Sequence, residues 1–296
     1  MEYLNPNSIE LRAQSSNIGS ILIDSGKIKP ADLEQIIALQ KQDGILFGEA
    51  AVKLGILTEE DVAWAIASQF SYPYIKAGED TIAREVVAAY QPFSQEVESF
   101  RSIRTGLILS GAGKVVKAIA VISPGQKEGK TFIASNLAIV FAQLGSKTLL
   151  VDINFRVPRI HEVFKVENKC GISSLIIKRA TIDHAIKPTA IPSLHILPSG
   201  PTPPNPVELL GWHEARELLA SLKDIYEVVI IDTPAFLNTA DASVISSLSD
   251  GVVVVALKSS TTRESLGMVK KQLDNSGIRI IGSVINEVNG KKRRKP

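Results

Sequence analysis

The sharpest chemical signal in the chain is Gly129-Lys130-Thr131, set in the run VISPGQKEGKTFIASNLA (121–138). That run reads as a strand ending at Ser123, a loop, and a helix that opens at the glycine. The N–H groups of a tight loop and of a helix start together form a cradle for phosphate. Here Gly125, Gln126, Lys127, Glu128 and Gly129 form the loop, and Phe132 sits on the first helical turn. In such a P-loop the Lys130 ammonium reaches the β- and γ-phosphates, and the Thr131 hydroxyl ligates Mg²⁺. The pattern departs at Pro124, five residues before Gly129, where glycine is usual.

Two carboxylates belong to the same reading. LLVDINFRVPRIHEVF (149–164) puts Asp152 at the end of one apolar strand, and VVIIDTPAF (228–236) puts Asp232 at the end of another. A single strand-terminal aspartate is commonly a cap or turn former. Two of them accompanying a phosphate loop read as metal-site residues, because ligands of an open α/β sheet bind outside the carboxyl ends of its strands.

The elements that must carry these groups are short β-branched runs: 115–123, 147–152, 194–199, 228–232, 251–257 and 279–286. Helix-like segments at 131–143, 207–223, 241–248 and 262–275 lie between them. Strands apolar on both faces that alternate with helices predict a doubly wound parallel sheet, covered on both sides. Ahead of it, SQEVESFRSIRTGLILSG is helical by pattern, with Val97, Phe100, Ile103 and Leu107 on one apolar face.

The first seventy residues hold a different pattern, an internal repeat at an offset of 29 residues. Gly19 maps to Gly48, Gly26 to Gly55, Asp32 to Asp61 and Gln40 to Gln69. Each copy reads as a short helix, a glycine-marked turn and a longer helix. The expected organisation is an all-α repeat module at 1–72, a linker at 73–95, the α/β domain at 96–290 and a basic tail at 291–296.

With 45% hydrophobic and 22% charged residues, global disorder is excluded. A single cysteine excludes a disulfide framework, and four scattered histidines give no zinc pattern. The net charge is +2, yet the closing KKRRKP carries five positive charges, so the rest carries −3. No general basic footprint for nucleic acid exists. No apolar stretch reaches the ~18–20 residues of a membrane helix. The expected location is the cytoplasm, with membrane contact only peripheral, through a partner or the basic tail.

The repeat resembles the N-terminal domain of type II secretion and type IV pilus ATPases, some of which bind cyclic di-GMP. The resemblance implies that ligand for this module. Asn17 stands where the nucleotide-binding versions usually carry arginine, and asparagine cannot make a bidentate contact with guanine or phosphate. A docking module is the parallel reading.

Residues 90–290 resemble the bacterial tyrosine kinases that control polysaccharide chain length, above all the exopolysaccharide chain-length-determinant kinases. The likeness is carried by SP…GKT, VDINFRVPRIHEVF, IIDTP with TADASVIS, GSVINE and PSGPTPPNPVELL (198–210). It implies Mg-ATP and γ-phosphoryl transfer to tyrosine. It gives Lys130 the phosphates, Thr131 and Asp232 the Mg²⁺, Asp152 the metal and the tyrosine proton, and Asn286 the adenine. It also implies that Glu98, Arg101 and Arg104, as E-x-x-R-x-x-R, form subunit contacts in a homo-oligomeric ring. The implied partner is an inner-membrane polysaccharide chain-length (co-polymerase) protein. An ATP-gated scaffold of the export machinery with little transfer chemistry is the alternative.

Three departures from that family stand out. Asn154 replaces the second aspartate of D-x-D. Lys127 stands where glycine is frequent, at a cost of about 1–2 kcal/mol if φ is positive there. The chain closes on VNGKKRRKP rather than a tyrosine cluster, and its last tyrosine is Tyr226. Acceptors are therefore expected on a partner, or at Tyr3, Tyr72, Tyr74 or Tyr90.

Overall fold

The computed structural model describes residues 18–69, 72–75, 78–110 and 116–287. Tyr3, Asn17 and the basic tail lie outside the described residues. The chain divides into two compact units, one of Met1–Glu79 with Gln91–Phe93, the other of Asp80–Tyr90 with Ser94–Pro296.

The first unit holds helices Ile18–Asp24, Pro30–Asp43, Phe47–Lys53 and Glu59–Gln69. The 29-residue offset recurs in its contacts. A Cβ on Gly19 would lie 2.8 Å from Leu33, and one on Gly48 would lie 2.6 Å from Val62, so both copies need glycine where a short helix meets a long one. Asp32 accepts the Lys29 N–H at 2.8 Å, and Asp61 accepts the Thr58 N–H at 3.0 Å, so each copy caps its long helix in the same way. Leu22, Ile36, Ala50, Ala51 and Ala65 form the shared core.

The second unit is built on a seven-stranded sheet: β1 Ala118–Ile122, β2 Thr148–Asp152, β3 Lys187–Pro188, β4 Leu194–Leu197, β5 Val228–Asp232, β6 Gly251–Leu257 and β7 Ile280–Asn286. The order is β3-β4-β2-β5-β1-β6-β7, parallel throughout except for β3. The six runs read from the sequence supply every parallel strand. The two-residue edge β3 has no apolar run to betray it. β1, β2 and β5 are wholly buried, as strands covered on both faces must be.

Alternate residues Ala118, Ala120 and Ile122 of β1 share a core with Leu209, Leu219, Ile245 and Val269. The helix Lys130–Gln143 packs on β1, β2 and β5, and the helix Gln95–Leu109 packs on it in turn. From Ile133 to Gln143 the former is buried on every side. Its two interior amides are absorbed by residues 80–90, part of the stretch expected as linker. Asn136 accepts the Ala88 N–H and Gln143 donates to the Ala88 carbonyl, both at 2.9 Å. The segment expected as one helix over 207–223 is two, Pro206–Gly211 and His213–Ile225, parted at Trp212.

Candidate active site

Strand order decides which groups meet. β2 and β5 are neighbours in register, with Asp152 opposite Asp232 at their carboxyl ends. β1 lies on the other side of β5 and feeds the phosphate loop. Lys130, Thr131, Asp152 and Asp232 therefore gather on one edge of the sheet.

The loop is held by its own groups. Lys130 Nζ donates to Ser123 Oγ at 2.9 Å and to the Gly125 carbonyl at 3.1 Å, and Ser123 Oγ donates to the same carbonyl at 2.8 Å. Gly129 begins the helix at φ 99°. A Cβ there would fall 2.0 Å from Asn286 Nδ2, so conformation favours glycine and any side chain would displace Asn286. Lys127 is at φ 58°, the left-handed region in which its departure from glycine carries a conformational cost.

The two aspartates are both fully buried but differently engaged. Asp152 accepts the N–H groups of Asn154, Arg159 and Ile160, each at 3.0 Å, and so organises the loop that follows β2. Asp232 Oδ2 accepts the Thr131 hydroxyl at 2.6 Å, while its buried Oδ1 has no hydrogen-bond partner among the described residues. Burial raises both carboxyls above the ordinary range, with the charge of Asp232 adding to the shift at Asp152. Burial also lowers the Lys130 ammonium, against the pull of Asp232 and Glu128.

An orphaned buried carboxylate oxygen, with a hydroxyl beside it, is a donor set suited to a hard divalent cation. Mg²⁺ takes one or two carboxylates and completes its shell with water and phosphate. No cluster of three His, Cys, Asp or Glu that could hold a metal is found among the described residues.

The other expected site residues take varied places. Asn286 donates to the Glu128 carbonyl at 3.1 Å, bracing the loop from the end of β7. Phe132 stacks edge-on against Phe100 at 5.7 Å. Both line a groove of about 510 Å³ with Ile103, Ile285 and Glu287. Gln126 and Lys127 are exposed. Arg101 pairs with Glu98 at 2.9 Å, and Arg104 donates to the Val140 carbonyl at 2.6 Å, so both arginines make contacts within their own chain. Sequence reasoning missed Arg156, whose guanidinium makes a two-pronged contact, 2.7 and 3.2 Å, with buried Asp241. It ties the loop carrying Asn154 to the helix Asp241–Leu248. The signal was present, since both residues lie in the quoted motifs.

Residues 116–277 match the family model described as an AAA domain. The tyrosine-protein kinase YwqD of Bacillus subtilis is 36% identical over 212 residues, 72% of this chain and 88% of that one. The chimerical protein CapA2B2 superposes with a TM-score of 0.66 at 34% identity, covering 77% of this chain and 98% of that one. The kinase domain of the Escherichia coli tyrosine kinase ETK also superposes with a TM-score of 0.66, at 28% identity over 71% and 84%. The family model begins after the helical repeat, so the secretion-ATPase likeness and the cyclic di-GMP it implied gain no support from it. Through this kinship and the phosphate loop that accompanies it, the chain belongs to the bacterial tyrosine kinases, ATP-dependent enzymes with an α/β P-loop domain.

Proposed function

We propose that the chain transfers the γ-phosphoryl group of ATP to tyrosine and thereby regulates the length and export of an exopolysaccharide. The observation that carries this reading is the fully buried Oδ1 of Asp232, unpartnered among the described residues, beside Thr131 and Lys130 on the sheet edge. Bound Mg-ATP supplies the transferable phosphoryl group and a divalent charge that offsets the charge spreading over it. Lys130 and the N–H groups of 126–132 orient the phosphates, while the Gly125 N–H stays on Glu128. Thr131 and Asp232 hold the metal, with Asp152 fixing the adjoining loop and serving as the nearby base. The groove beside Asn286 and Phe132 takes the purine.

The acceptor is proposed to be a tyrosine of a partner chain, with Tyr3, Tyr72, Tyr74 and Tyr90 of this chain as the alternatives. Tyr226 is buried, and the Tyr90 hydroxyl donates to the Ile82 carbonyl. The Tyr74 hydroxyl is pushed up to about 12 by burial and by Asp61, Glu60 and Glu79. The partner is proposed to be a membrane chain-length protein, a reading supported by the likeness to the chimerical protein CapA2B2. A homo-oligomer is proposed through Glu98, Arg101 and Arg104, which lie together on the helix Gln95–Leu109. The test is anti-phosphotyrosine detection with Mg-ATP and the partner's cytoplasmic tail, comparing wild type with Lys130→Ala. A signal confined to wild type is expected, and no ATP-dependent signal rejects the reading.

One observation favours the alternative of an ATP-gated scaffold with weak transfer. Asn154 spends its backbone N–H on Asp152 and its side-chain oxygen on the Val157 N–H, at 3.3 Å, and brings no charge to the metal. A large gain of phosphotyrosine in Asn154→Asp would show that the natural chain is catalytically weakened.

A further inference from the structure

Thr261 lies at the exit of β6, 133 residues from Glu128 in sequence, yet its hydroxyl donates to Glu128 Oε1. The same hydroxyl accepts the Leu257 N–H at 2.8 Å, so it is fixed from both sides. Glu128 is only 6% exposed, an unusual place for a glutamate. Its Oε2 accepts the Gly125 N–H at 2.6 Å, and its backbone carbonyl accepts Asn286 Nδ2. The Gly125 carbonyl in turn receives Lys130 Nζ and the Ser123 hydroxyl.

We infer that Thr261 is a positioning residue for the phosphate loop. It fixes the Glu128 carboxylate, which fixes Gly125, which holds Lys130. The inference rests on reading this loop as the nucleotide site. The loop needs such a restraint because Lys127 occupies a backbone region that only surrounding contacts sustain. A loop already bent to receive phosphate binds without the cost of ordering itself. The hydroxyl-to-carboxylate bond is charge-assisted, and burial makes its loss expensive. Because Thr261 touches no reacting atom, its loss should fall on nucleotide affinity rather than on turnover at saturation.

The test measures Mg-ATP binding by titration calorimetry in the full chain for wild type, Thr261→Val, Thr261→Ser and Lys130→Ala, with KM for ATP and kcat beside it. Thr261→Val keeps the shape and removes the hydroxyl. It is expected to weaken binding about tenfold and raise KM similarly, with kcat within about twofold. Thr261→Ser, which keeps the hydroxyl, should bind within about twofold of wild type. Val binding as tightly as wild type, or Ser losing as much as Val, overturns the inference alone. No binding by wild type overturns the nucleotide reading and this inference with it. If Thr261→Val does not fold, Glu128→Ala carries the test, since it removes the carboxylate from both ends of the clasp. It is expected to weaken binding severalfold, and unchanged affinity overturns the inference.

Discussion

Replacing Gly129 by alanine probes the most crowded point of the site. The new Cβ would stand 2.0 Å from Asn286 Nδ2 and 3.1 Å from its Cγ. Holding alanine at φ 99° costs about 1–3 kcal/mol. Asn286 must also swing away, and losing its bond to the Glu128 carbonyl costs about 1 kcal/mol more. The expected loss is about 2–4 kcal/mol, a fall of roughly 5–15 °C in Tm for a domain of this size. A double-mutant cycle in thermal unfolding separates the parts. Asn286→Ala alone should cost about 1 kcal/mol. In that background Gly129→Ala has no amide to displace, so its cost should shrink by about 1 kcal/mol. Costs that add within about 0.5 kcal/mol would refute the steric part and leave backbone conformation alone to explain the glycine.

Other perturbations reach other parts of the site. Lys127→Gly should raise Tm by about 2–4 °C, because an exposed lysine at positive φ carries about 1 kcal/mol of strain. Asp152 and Asp232 have raised carboxyls in the fold, so the stability they contribute is complete below the unfolded value near 3.8 and is lost as pH rises through their folded values. Unfolding without nucleotide from pH 4 to 8 should therefore show Asp232→Asn gaining on wild type as pH rises, and a constant gap contradicts this. Arg156→Ala leaves buried Asp241 without its cation and should cost about 1–3 kcal/mol, discounted because Arg156 is half exposed, with Arg156→Lys only partly restoring the two-pronged contact. Asp32→Ala removes a helix cap and should cost about 1 kcal/mol in thermal unfolding, with Asp61→Ala costing more because Asp61 also pairs with Lys27 and accepts the Thr58 hydroxyl.

What the sequence disclosed follows from how local each feature is. β5 and β6 coincide with their apolar runs to the residue, since strands buried on both faces admit no polar interruption. The helix Asp241–Leu248 is equally legible. The break at Trp212 was hidden because apolar spacing continues across it. The short helices Ile160–Val163, Ile172–Ile176 and Ile182–Ala185 are too brief for a period to appear. Lys130, Thr131 and Asp232 could be read because a strand–loop–helix motif and a strand end define them. The hold of Thr261 on Glu128, and of Asn286 on the loop backbone, could not, because each joins residues more than a hundred positions apart through the strand order β5-β1-β6-β7.

The central claim is that one sheet edge binds magnesium nucleotide through Lys130, Thr131 and Asp232. Titration calorimetry of wild type and Asp232→Ala with ATP, each with Mg²⁺ and with EDTA, tests it most directly. The expected result is wild-type binding that weakens at least tenfold when Mg²⁺ is removed, and a variant whose weaker binding no longer responds to Mg²⁺. Wild-type affinity indifferent to Mg²⁺, or a variant that responds as wild type does, contradicts the claim.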